Sequence, residues 1–109
     1  MEYPFDRVGP EDFKRKLENG ELSDSLIIDV REPYEWEYYR WEELVLMPMN
    51  TIPERLGELP KDKPIYVVCA HGVRSANVSY YLKQQGFDQV VNVDGGMAAL
   101  AALRGFQYD

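Results

Sequence analysis

The chain has 109 residues, of which 45% are apolar and 28% charged, and it carries a formal net charge of −7. That size suits one domain over residues 1–109 with a core of its own, and the acidic balance speaks against nucleic-acid or membrane-surface binding, both of which draw on basic patches. A single cysteine and a single histidine exclude an intrachain disulfide and a clustered Cys/His metal site. No apolar run reaches the length of a membrane span, and Met1 to Val8 lack the basic-then-apolar order of a signal peptide, so a reduced, cytoplasmic location is expected.

In chain order, the segment GPEDFKRKLENG predicts a helix. Pro10 suits its first position, Glu11 and Asp12 its positive end, and Phe13 and Leu17, four apart, its core face; Gly20 ends it. Leu26 to Val30 is a short Ile/Val-rich run, predicted as a buried strand. A short helix opens at Pro33, and Leu44 to Met47 is predicted as another buried strand, like Val8 and its neighbours before it. A turn or two of helix fits between Pro53 and Pro60. Pro64 to Cys69 is an apolar strand that ends on the cysteine.

The helix after that strand places Ser75, Val78, Ser79 and Leu82 on one face and stops at Gly86. Gln89 to Val93 is the last strand. Gly96 to Gly105 is the last helix, with Met97, Leu100, Ala101 and Leu103 on its apolar side. Strands alternating with helices imply parallel pairing, and strands apolar throughout imply helices on both faces. The expectation is a three-layer α/β domain with its site at the carboxyl ends of the strands, where Cys69 lies.

The segment CAHGVRS joins a buried strand to a helix. Backbone N–H groups in a tight loop at a helix start converge on anions, Gly72 allows the turn, and Arg74 adds positive charge at the helix entrance. All three favour a thiolate, so Cys69 is expected to have a lowered pKa and to act as a nucleophile. Alone, a cysteine after an apolar strand reads as an inert core residue; Gly72, Arg74 and the following helix tip the balance. His71 has two readings: a base for Cys69, or an exposed residue at the pocket mouth. Its position, two residues from the cysteine in a loop whose backbone must face the sulfur, favours the second.

At this loop the chain resembles the rhodanese-like domains, the sulfurtransferase family. The motifs are DVRE (Asp29 to Glu32), the stretch LMPMNTIPERLGELPKDKPIYVVCAHGVRS, and QGFDQVVNVDGGM with its paired glycines Gly95 and Gly96. Each is short, but their order and spacing over nearly the whole chain are specific. The resemblance implies the rhodanese-like fold, with a mostly parallel central sheet and helices on both faces. Four residues lie between Cys69 and Arg74, as in the sulfur-transferring members. The loop of tyrosine phosphatases is one residue longer, so sulfur is implied over phosphate.

The resemblance implies an enzyme of the thiosulfate sulfurtransferase type. Cys69 takes a sulfane sulfur from a small anionic donor such as thiosulfate and passes it from a persulfide to cyanide, a thiol or a sulfur-relay protein. Neither metal nor organic cofactor is implied. Loop residues Ala70, His71, Gly72 and Val73 line the persulfide site, Ser75 either holds the loop or caps the helix, and Arg74 orders the loop and attracts anionic donors. Asp29 and Arg31 match the family's D-x-R element, read as a brace of the pocket wall in preference to a substrate contact. Glu32 is read as a helix N-terminal residue.

Three other functions are weighed: a sulfur carrier loaded by a partner protein, a Cys-dependent phosphatase or arsenate reductase, and an inactive module. Loop length disfavours the phosphatase, and the presence of Cys69 disfavours the inactive module. Two departures from the family pattern stand out. Glu43 and Leu44 occupy the places of a glycine and a small residue within Arg40–Leu44, which bears on the pocket rim. Leu100 occupies the place of a tryptophan. In the cluster Tyr34, Trp36, Tyr38, Tyr39 and Trp41, Trp36 is expected in the core. The tyrosines fit either ordinary packing or a partner surface.

Overall fold

The computed structural model describes residues 4–109. The short apolar runs form the strands of one five-stranded sheet: β1 (Asp6–Val8), β2 (Leu26–Asp29), β3 (Val45–Leu46), β4 (Ile65–Val68) and β5 (Val90–Val93). Their order is β1-β5-β4-β2-β3, and every pairing is parallel. Parallel neighbours require crossovers. These run through α1 (Pro10–Glu18), α2 (Pro33–Tyr38), α3 (Val73–Gln84) and two 3-10 segments, Met49–Thr51 and Pro53–Glu58; α4 (Gly96–Leu103) follows β5.

Side chains alternate across a strand, so adjacent residues serve opposite layers. Ile28, Ile65, Val67 and Val90 meet Val78, Leu82, Ile52 and Phe87 on one face. Ile27, Val68 and Val93 meet Phe13, Trp41, Met97 and Leu100 on the other. The result is the three-layer α/β arrangement expected. Each such fully buried aliphatic or aromatic side chain contributes about 1.5–3 kcal/mol. Ser75, Val78, Ser79 and Leu82 form the buried face of α3, and Gly86 follows with φ +93°. No helix among the described residues is long and apolar enough to cross a membrane.

Four expectations need correction. The predicted buried strand Leu44–Met47 reduces to Val45–Leu46 at the sheet edge, with Val45 exposed; Leu44 and Met47, flanking it, are the buried residues. Likewise β1 is an edge strand whose Asp6 and Arg7 face outward. Leu103, the last residue of α4, is exposed, beyond the buried face formed by Met97, Leu100 and Ala101. Trp36 is only half-buried, with the Arg40 guanidinium 5.5 Å from its ring. The core tryptophan is Trp41, 1% exposed, whose indole N–H donates to the Tyr39 hydroxyl at 3.0 Å.

Trp41 also bears on the two departures from the family pattern. It stacks on Phe13 and lies beside fully buried Leu100 in the same cluster, so aromatic bulk in this layer comes from Phe13 and Trp41. The turn at Glu43 needs no glycine, since no non-glycine residue among those described has positive φ. Glu43 accepts a hydrogen bond from Arg104, at 3.1 Å, which ties this turn to the end of α4.

Candidate active site

The strand register brings three carboxyl ends together. Asp29 of β2 pairs with Val68 of β4, and Val67 with Asn92 of β5. Val30–Arg31, Cys69–Ala70 and Asp94–Gly95 therefore emerge side by side, as expected where loops leave the carboxyl edge of a parallel sheet.

Cys69 follows β4 directly and is 1% exposed. Its sulfur accepts the Gly72 N–H at 3.0 Å and lies 3.2 Å from the Ser75 hydroxyl. Gly72 has φ +99°, a conformation that side-chain-bearing residues avoid. The turn it makes points an N–H back at the sulfur and starts α3 at Val73. Ser75 is fully buried on α3 and takes part through its hydroxyl.

The opposite side of the loop is held by α4. Met97 N–H donates to the Cys69 carbonyl at 2.7 Å and Ala98 N–H to the Ala70 carbonyl at 2.9 Å. Two of the N-terminal N–H groups of α4, which have no partner within their own helix, are thus satisfied by the loop's oxygens. With these carbonyls turned toward α4, the sulfur meets the Gly72 N–H and the Ser75 hydroxyl. Gly96, with φ +59°, permits the approach: a Cβ there would lie 2.5 Å from the Cys69 oxygen and 2.6 Å from the Ala70 carbonyl.

Arg74 does not point freely at the mouth. Its guanidinium makes a two-pronged pair with Glu35 of α2, at 2.8 and 2.9 Å. The side chains are 33% and 14% exposed. The Glu35 hydrogen bonds raise the Arg74 pKa further above its ordinary value, against the effect of burial. In return Arg74 holds the Glu35 carboxyl below the usual carboxylate range, against partial burial and with help from the Glu32 N–H and the charge of Arg31. Glu32 is the residue before α2, and its N–H donates to Glu35 at 2.9 Å.

Asp29 and Arg31 are both fully buried and joined at 2.7 Å. Arg31 also donates to the carbonyls of Glu35 and Tyr39 and to the Tyr108 hydroxyl. Burial pulls its pKa down, but the Asp29 hydrogen bonds and charge outweigh this and raise it. Arg31 therefore fastens α2 to the sheet, α2 carries Glu35, and Glu35 fixes Arg74 at the start of α3.

His71 is exposed and directed away from the sulfur. Its Nε2 lies 2.8 Å from Asp109 Oδ2, its ring meets Tyr108 edge-on, and no hydrogen bond joins it to Cys69 among the described residues. Ala70 is buried, whereas Val73 is exposed at the loop's outer surface. Tyr39 stacks on Phe106 at 4.3 Å, and Tyr38 meets Phe106 and Tyr108 edge-on. Tyr34 is the most exposed of the cluster. Tyr108, beside Arg31, has its phenol pKa pushed up by burial, against the hydrogen bond from Arg31.

Sequence reasoning brought Cys69, Gly72 and Ser75 together but missed Glu35, Tyr108 and the part played by Gly96. Glu35 had a local signal. A glutamate at the third position of a helix commonly reaches back to the preceding backbone N–H, which is its contact with Glu32. Its pairing with Arg74 had none, and neither did the return of Tyr108 to Arg31.

The family model for the Rhodanese-like domain matches residues 9–103. The chain belongs to the rhodanese-like family. The putative sulfurtransferase YtwF of Bacillus subtilis is 43% identical over 79% of this chain and 81% of its own length. The thiosulfate sulfurtransferase GlpE of Pseudomonas syringae is 36% identical over 84% and 83%. Among solved structures, a rhodanese-like domain protein from Staphylococcus aureus superposes with a TM-score of 0.80, at 38% identity, covering 88% of this chain and 91% of that one. Within the rhodanese-like family this chain's loop is CAHGVRS, with its arginine paired to Glu35.

Proposed function

We propose that the protein is a sulfurtransferase that carries sulfur as a persulfide on Cys69. The Gly72 N–H, 3.0 Å from the sulfur, carries this reading: it is a fixed donor at the atom where negative charge sits before and after transfer. The relatives named sulfurtransferases support it. The Cys69 thiolate attacks the outer sulfur of a donor. With thiosulfate, a new S–S bond forms, the old S–S bond breaks, and sulfite leaves with the electron pair. The persulfide's terminal sulfur is then taken by a nucleophilic acceptor, cyanide or a thiol, and the Cys69 thiolate returns. A covalent intermediate shared by two half-reactions predicts ping-pong kinetics.

Arg74 orders the loop through Glu35, and Ser75 steadies the sulfur from the side of α3. Arg31 and Asp29 act at one remove, by holding α2. His71 stands at the rim.

Intact-mass measurement after incubation with a sulfane donor tests the reading. The expected result is a gain of one sulfur atom that is absent in Cys69→Ser. Loading only from a persulfidated partner protein would mark a carrier, and cleavage of an aryl phosphate lost in Cys69→Ser would replace sulfur by phosphate.

A further inference from the structure

The arginines bordering the Cys69 loop each have a carboxylate partner, and its one histidine lies against another. Arg74 pairs with Glu35 at 2.8 Å and Arg31 with Asp29 at 2.7 Å. His71 lies 2.8 Å from Asp109. Arg7, which lines the cleft beside His71 and Gly72, pairs with Asp94 at 2.9 Å. The positive charge that a loop for small anions would present is thus offset residue by residue, in a chain of net charge −7. Beyond about 8 Å, physiological salt screens what is left, so the paired groups set the local field.

We propose that Glu35, with Asp109 at the rim, is a specificity-determining residue that disfavours dianionic donors such as thiosulfate and favours a sulfane sulfur borne on a thiol. This rests on the persulfide reading of Cys69. A thiol persulfide, RS–SH, brings at most one negative charge to the reacting sulfur. The Cys69 thiolate attacks its outer sulfur, the RS–S bond breaks, and the thiolate RS⁻ leaves with the electron pair. Cys69–S–SH is left behind, so atoms and charge balance without an oxidant or reductant. Thiosulfate must bring two negative charges to a mouth that offers no unpaired cation among the described residues. The Gly72 N–H serves either donor alike, since it addresses the cysteine's own sulfur.

The test compares loading rates of Cys69 from thiosulfate and from cysteine persulfide, by quenched intact mass, in the wild type, Glu35→Gln and Asp109→Asn. Glutamine preserves the shape of Glu35 and an acceptor for Arg74 while removing the charge. The thiosulfate rate should rise about threefold or more in Glu35→Gln, and less in Asp109→Asn, so that the preference for cysteine persulfide shrinks. A purely structural Glu35 would instead lower both rates together, and that outcome would overturn the proposal. A second measurement needs no variant. In the wild type, raising salt from low to physiological strength should leave the thiosulfate rate flat or raise it; a steep fall would reveal an attracting mouth and also overturn the proposal. Failure of both donors to load the wild type would instead overturn the persulfide reading on which this one stands.

Discussion

Arg31 and Arg74 both meet a carboxylate near the same loop, yet they do opposite jobs. The Arg31–Asp29 pair has no exposed surface, and the remaining Arg31 N–H groups go to Glu35, Tyr39 and Tyr108. The Arg74–Glu35 pair is part-exposed, at 33% and 14%, and lies within reach of water. Burial decides the difference. A charge sealed from water is held by a full set of hydrogen bonds and becomes scaffold, whereas one at the edge of water keeps a field that a ligand can feel.

The comparison can be broken most severely at the buried pair. Arg31→Met leaves Asp29 as an unpaired buried carboxylate and should cost about 3–5 kcal/mol, read as a fall in the urea midpoint at pH 7. Gly96→Ala reaches the loop without touching either pair. It puts a Cβ 2.5 Å from the Cys69 oxygen in a left-handed backbone conformation, and overpacking of this kind costs about 1–3 kcal/mol before the backbone strain is added. Urea titration should show that loss, and the alkylation rate of Cys69 should change with it because the carbonyls no longer turn aside.

At the rim the balance shifts from stability to activity. Arg74→Ala should cost about 1 kcal/mol or less, yet slow persulfide formation about tenfold. Full activity in that variant would remove Arg74 from the mechanism. Acid sharpens the contrast further. Glu35 titrates lower in the folded protein than its unfolded value of about 4.3, so its pairing stabilises the fold above that value. The stabilisation is lost as pH falls through the folded value. Glu35→Gln should therefore lose less stability than the wild type between pH 6 and pH 3 in thermal melts. At the small end, Asp12→Ala removes the exposed pair with Arg15 and one acidic charge from the first turn of α1, partly offset by alanine's helix propensity, and should shift the melting temperature by only about 2 °C or less.

Much of this arrangement was legible in the chain. The alternation of Ile/Val runs with helical segments implied a parallel sheet, because periodicity and crossover length are local properties. The same holds for the Ser75, Val78, Ser79 and Leu82 face and for the place of Cys69 at a strand end. What escaped depends on partners distant in sequence. Nothing near Trp36 or Trp41 states which one α4 will cover. Val45 looks like its buried neighbours until the edge of the sheet is known. Glu35 announces its backbone contact but not Arg74, which reaches it only after β2 and β4 have paired. Tyr108 lies beyond the matched family segment and returns to Arg31 through tertiary packing alone.

The clamp of α4 on the loop also sets an order in time. A growing chain that has reached Gln84 already holds Cys69, Gly72 and Ser75. It does not yet hold Met97 and Ala98, the donors that draw the loop's two carbonyls aside. Until β5 has added to β4 and the paired glycines have let α4 dock, those oxygens lack these donors. Among the described helices, the last in chain order is therefore the one that completes the loop's hydrogen bonding. A half-made chain carries Cys69, Gly72 and Ser75 without the two donors that orient the loop's carbonyls.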